Sequence, residues 1–255
     1  MPHRPLAQAV FAAGMSIALV AQTQDVRPRF EVGSVKLSGA EITGPFLRQL
    51  NPGTINYRNR NLFEYVQLAY GVQGYQVTHS SSISLADRYD IAAKAADPVP
   101  VEQVKTMLQV LLEERLNLKV HREDREIPVY ALVVAKNGPR FHPAPEDEAP
   151  GAQNTGDSFV FRKSPISALT GLLTNMPSLG KPVFDRTGLH GLYDLTLRLD
   201  SAAGKTAGNG KAEMLRGMDE AVFSSLADLG LKLEPQKATV NFLVVDHVDK
   251  IPADN

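Results

Sequence analysis

The chain has 255 residues, 43% of them hydrophobic and 22% charged, with a formal net charge of −1. That composition supplies a globular core, and the near-neutral charge carries no global signal for nucleic acid, an anionic membrane surface or a polyanionic substrate. Cysteine is absent, which excludes thiol catalysis, Cys-ligated zinc, iron–sulfur clusters and disulfides together.

The N-terminus has the order of a secretory signal peptide. A basic start, Met1-Pro2-His3-Arg4-Pro5, precedes an apolar or small stretch from Leu6 to Ala21, and polarity returns at Gln22. The stretch is shorter than the roughly 20 apolar residues of a membrane span, and its small residues suit cleavage near Ser16-Ile17-Ala18 or Ala21-Gln22. Residues 1–21 are therefore expected to be a signal peptide, with no membrane span after cleavage and a periplasmic or secreted destination.

Phe30 to Leu37 alternates as a strand. Asn51-Pro52-Gly53 is a turn and Thr54 to Arg58 is extended. Asn61 is a helix cap, followed at helical spacing by Leu62, Tyr65, Val66, Leu68 and Ala69, and Gly71 stops that helix. Tyr75–Val77 and Tyr89–Lys94 are short strands. Pro98 and Pro100 open a helix from Val101 to Leu116. Leu118–Arg122 leaves as a strand, a turn is expected around Asp124, and Pro128–Ala135 reads as a buried strand. Residues 138–157 are rich in Pro, Gly and acids and read as a linker.

The same order then returns. Phe159–Phe161 is extended, and Ser164 is expected to cap a helix opened by Pro165. Lys181–Phe184 and Leu192–Leu199 are strands separated by a turn. Residues 201–216 are expected to be irregular. Ala221, Val222, Leu226 and Leu229 mark a last helix, ended by Gly230. Leu231–Glu234 and Val240–Val245 are two closing strands. Tyr89-Asp90-Ile91 matches Tyr193-Asp194-Leu195, Leu116–Val120 matches Leu229–Leu233, and Val129–Val134 matches Val240–Val245. The fold class is therefore α+β, as two tandem similar units, each a small mixed or antiparallel sheet packed with two helices. The first unit spans residues 22–137 and the second residues 158–255.

Chemistry is harder to find. The six histidines share no metal-ligand spacing. No nucleophile elbow, Walker loop or dinucleotide fingerprint is present. Glu146-Asp147-Glu148 lacks the spaced ligands of a calcium loop and reads as a solvated charge run. The most site-like segment is Asp185 to Asp194, compact and turn-rich between two strands. Asp185 can accept backbone hydrogen bonds there, and Arg186 and His190 are candidate ligand contacts. No catalytic residue, metal or cofactor is indicated.

Seven ordered segments are similar to one family: Phe30–Lys36, Leu68–Val72, Arg88–Ile91, Leu112–Leu116, Val129–Val134, Asp185–Leu189 and Val245–Val248. In these the chain resembles the soil-associated family of exported bacterial proteins, abundant in acidobacteria and defined by a domain of unknown function. The resemblance implies export and brings no catalytic residues with it. Related domains occur attached to membrane-bound, antibiotic-sensor-like metallopeptidases, whose zinc motif this chain lacks. A weaker likeness of Val183–Val245 to secretin and TonB short N-terminal domains is one of fold alone. Together these imply a cell-envelope binding or interaction module whose partner is an unknown envelope protein or polymer and not nucleic acid. The alternative is an envelope hydrolase or ligand-sensing domain with a site between the two halves.

Overall fold

The computed structural model describes residues 27–39, 51–199 and 211–253, with residues 211–216 as backbone only. The expected signal peptide and most of the 201–216 stretch lie outside the described residues. The first strands are β1 (Val32–Leu37) and β2 (Thr54–Asn61), followed by helix α1 (Leu62–Tyr70), β3 (Val77–His79) and β4 (Arg88–Lys94). Helix α2 (Val101–Leu116) leads into β5 (Lys119–Val134). Then come β6 (His142–Pro143), β7 (Gly151–Asn154), β8 (Ser158–Ser164), α3 (Ile166–Thr174), β9 (Val183–Asp185) and β10 (Tyr193–Arg198). Helix α4 (Lys211–Asp228) and β11 (Leu231–His247) end the order, so the fold is mixed α+β.

Local chemistry accounts for most helix ends. The Asn61 side chain accepts from Glu64 N at 2.8 Å, and Gly71 closes α1 at φ 63° with its N–H on the Gln67 carbonyl. Helix α2 starts after Pro100, which presets its backbone, and stops at Asn117 in the left-handed region. Helix α3 departs from expectation. Ser164 is the last residue of β8, and its hydroxyl donates to the Arg162 carbonyl at 2.9 Å instead of capping the helix. Helix α4 starts at Lys211, inside the stretch expected to be irregular. Lys211-Ala-Glu-Met-Leu-Arg216 consists of strong helix formers, which outweigh the small polar residues before it.

The main correction concerns β5 and β11. The expected turn around Asp124 and the expected break between Glu234 and Val240 do not exist. Each is one long strand, and the two pair antiparallel from Leu231 opposite Val134 to Val245 opposite Val120. Their polar middle is held across the ladder. Lys237 Nζ meets Glu126 at 2.9 Å, and Asn241 Nδ2 donates to Asp124 Oδ1 at 2.7 Å. Pro128 and Pro235 are tolerated because the third strands reach only Tyr130–Leu132 and Leu243–Val245, leaving both prolines at an open edge.

The ribbon joins two cores. At one end Leu243 and Val245, with Leu118 just before β5, pack with α1, α2 and the sheet β1-β4-β2. At the other Leu132, Leu231 and Leu233 pack with α3, α4 and the sheet β6-β10-β8-β7. Short β3 pairs parallel with β11, and β9 pairs parallel with β5. Each stretch of chain therefore lends a strand to the other stretch's long strand. In the first core the Tyr65 hydroxyl donates to the carbonyls of Tyr57 or Tyr89, each at 3.2 Å, and burial holds its pKa far above the ordinary tyrosine value. The Tyr89 hydroxyl donates to the Lys250 carbonyl at 2.9 Å, and burial, aided by Asp87, pushes its pKa up to about 12.

One local feature occurs twice. Asn59 and Lys163 both take positive φ, 54° and 43°, at a register shift in the ladder. The Asn59 N–H donates to Asp90 Oδ1 at 2.7 Å and the Lys163 N–H to Asp194 Oδ1 at 2.8 Å. The same interval separates Tyr57 from Phe161 and Ile91 from Leu195, which pair in the same way before each shift. The bulge turns the strand toward the helix that follows it.

Candidate functional site

Alternation in β10 turns Leu195 and Leu197 into the core and leaves Asp194, Thr196 and Arg198 on the opposite face. Phe161 of β8 is likewise buried, and Val160 and Arg162 share the outer face. Residues 138–157, expected as a linker, supply β6 and β7 to this sheet. Phe141 is buried and meets Tyr193 edge-on, with ring centroids 5.3 Å apart. Ala144 N donates to the Leu192 carbonyl at 2.9 Å, and the Lys163 ammonium donates to the Glu146 carbonyl. These contacts hold Pro143–Glu148 beside the sheet as the wall of a groove of about 620 Å³.

The groove's chemistry is mixed. Arg140, His142, Arg162 and Arg198 line it, together with Glu148, Asp194 and Asp228. Arg162 Nε lies 4.0 Å from Glu148 Oε1. A side-chain hydrogen bond to Asp194 raises the Glu148 pKa above the ordinary glutamate value; slight desolvation adds to the rise and Arg162 opposes it. Ser225 is buried, and its hydroxyl accepts from Arg198 N at 2.8 Å, tying α4 to the open edge of β10.

The Asp185–Asp194 segment is a specified turn. Asp185 Oδ1 accepts from Thr187 N at 2.9 Å and from Thr187 Oγ1 at 2.7 Å. Leu189 N donates to Thr187 Oγ1 at 3.2 Å, and Gly188 supplies φ 70°. Arg186 N donates to the Leu132 carbonyl at 2.9 Å, anchoring the turn to β5. The side chains of Asp185, Arg186 and His190 are exposed, and none of the three lines the groove. The segment's last residue, Asp194, does line it.

Sequence reasoning therefore missed Arg140, His142, Arg162, Asp194 and Arg198. The readable signal was the outward register of a strand with strong alternation, Asp194-x-Thr196-x-Arg198. Arg140 and His142 were hidden in an apparent linker. The Glu146–Glu148 run also divides, since Glu146 and Asp147 are exposed and Glu148 is half-buried in the groove. Among the described residues no group of three or more His, Asp or Glu is placed to hold a metal ion, and no helix is long and apolar enough to cross a membrane.

No curated protein and no solved structure matches the chain. A family model described as "protein of unknown function (DUF3738)" matches residues 64–248, which is most of the sequence, and the chain belongs to that family.

Proposed function

We propose that this protein is an exported binding or interaction module of the bacterial cell envelope, periplasmic or secreted, and that it holds its partner in the groove beside β10. One observation carries the reading. The outer face of a sheet is walled by a pinned loop, and charged groups of both signs converge there in a volume typical of small-ligand sites, roughly 300–1,000 Å³. The export half rests on the Leu6–Ala21 stretch and the family resemblance, and N-terminal sequencing of the native protein tests it. An intact Met1 on a cytoplasmic protein refutes it. A photo-crosslinking side chain at Thr196, in the groove, tests the binding half against one at Glu123, on the ribbon. Capture of an envelope component from Thr196 alone is expected, and equal capture from both refutes the assignment.

A second reading, an envelope hydrolase, is favoured by the Glu148–Asp194 carboxyl pair, because paired carboxyls serve glycoside hydrolysis. Release of new reducing ends from an envelope glycan, lost in Glu148→Gln, would support it. We further infer that the chain is two copies of one unit. The equal spacing of the Asn59–Asp90 and Lys163–Asp194 bonds supports this, as does the shared order strand, helix, strand, strand, helix, strand. The likeness to secretin and TonB short N-terminal domains rests on the order helix, strand, turn, strand, helix, strand, strand, whose two closing strands are the single strand β11.

A further inference from the structure

We propose that the groove beside β10 binds an acidic saccharide, a ligand carrying both carboxylate and hydroxyl groups; this deepens the binding-module reading and rests on it. Arg140, Arg162 and Arg198 all line one groove, and guanidinium is the side chain best matched to a planar carboxylate. The acids of the groove argue against a ligand that is anionic throughout. Asp228 and the Glu148–Asp194 pair would repel a polyphosphate, but they are good acceptors for sugar hydroxyls. Pro143, Pro145 and Val160 add apolar surface for the C–H faces of a sugar ring.

The arrangement is not confined to one place. On the outer face of the sheet β1-β4-β2, Lys36 stands opposite Asp90 on the edge strand, as His142 stands opposite Asp194. Arg58 precedes the left-handed Asn59 as Arg162 precedes the left-handed Lys163. Lys94 ends β4 as Arg198 ends β10. Shallow concavities of about 450 and 250 Å³ lie on this first face. Cations stand at two matching positions around a matching aspartate, Arg58 with Arg162 and Lys94 with Arg198, and Lys36 is matched by His142, while the residues between them differ. Two such faces suit a ligand that repeats, so the acidic saccharide is a polymer or a segment of one.

The test uses the full mature chain and isothermal titration with three probes of similar length: trigalacturonate, neutral maltotriose and tripolyphosphate. Trigalacturonate is expected to bind, maltotriose at least tenfold more weakly, and Arg162→Gln and Arg198→Gln each to weaken trigalacturonate about tenfold, as loss of one charge-assisted hydrogen bond does. Both arginines are exposed, so their variants should melt with the parent, and Lys237→Gln on the ribbon should bind as the parent does. Maltotriose binding as tightly as trigalacturonate overturns the proposal, because charge is then not read. Tripolyphosphate binding more tightly overturns the saccharide class. No saccharide binding, with crosslinking from Thr196 still specific, overturns the ligand and leaves the binding module standing. Trigalacturonate binding with release of reducing ends keeps the ligand and overturns the non-catalytic reading.

Discussion

Replacing Gly230 with Ala should be among the most damaging single changes outside the cores. Gly230 joins α4 to β11 at φ 72°, a conformation that costs an L-residue roughly 1–2 kcal/mol. A Cβ there would also lie far inside van der Waals contact of the Gly138 carbonyl oxygen, and 3.1 Å from Pro139 Cα. The backbone cannot easily withdraw, because Ala135 N donates to the Gly230 carbonyl at 2.8 Å and Arg140 N to the Leu229 carbonyl at 2.9 Å. Overpacking of this kind costs about 1–3 kcal/mol, so the expected loss is about 2–5 kcal/mol. Asn117 provides the control. It holds the corresponding turn between α2 and β5 at φ 48° and carries a side chain without difficulty. Asn117→Ala should cost only the conformational part, about 1 kcal/mol. Urea denaturation of both variants measures the difference. Equal losses at the two turns, or a Gly230→Ala loss below about 1 kcal/mol, would show that the 138–140 segment does not press on Gly230.

Three further outcomes are expected. Asp185→Ala should lose about 1 kcal/mol through its two bonds to Thr187, whereas Arg186→Ala and His190→Ala should stay within about 0.5 kcal/mol; thermal melts that reverse this order would return the site to the turn. Asp90→Ala removes a charge-assisted bond to the buried Asn59 and should cost about 1.5–3 kcal/mol, with Asp90→Asn milder because one oxygen acceptor remains. Glu148 has a folded pKa above its ordinary value, so across that interval the native state keeps a proton that the unfolded chain has released. Its contribution therefore falls as pH rises through the folded value, and Glu148→Gln should flatten this part of the pH–stability profile; an unchanged slope means that Asp194 does not raise the Glu148 pKa.

Helix positions were legible because their signals are local. Asn61, Pro100, Gly71 and the apolar spacing of α1 and α2 each act within a few residues. The strand ribbon was not legible, because the polar residues from Glu123 to Glu126 look like a turn until Thr239 to Phe242 are set opposite them. Their pairing spans more than a hundred positions of sequence, and no local pattern encodes it. The same limit affected the sequence match of Val129–Val134 with Val240–Val245. Val183 pairs with Tyr130 and Val77 with Leu243, so under the proposed duplication Tyr130 answers to Leu243, two residues from the sequence match. A slip of two preserves the inward face, which is why the apolar pattern could not detect it.

The near-neutral net charge raised no expectation of an anionic ligand, yet charge summed over a chain says nothing about which faces carry it. On the ribbon Glu123 meets Arg125 and Glu126 meets Lys237, and exposed pairs of this kind are worth little and cancel at short range. On the outer sheet faces the cations stand at alternate strand positions, Lys94 two residues beyond Ala92 and Arg198 two beyond Thr196, where the pleat sends them the same way. The one acid central to each of these faces, Asp90 or Asp194, is partly occupied by a backbone N–H at its bulge. That bond ties one carboxylate oxygen to the fold, and Lys36, Arg58 and Lys94 stand around it on one face, Arg162 and Arg198 on the other. The bulge that turns each strand toward its helix therefore also fixes the carboxylate around which the cations of each face stand.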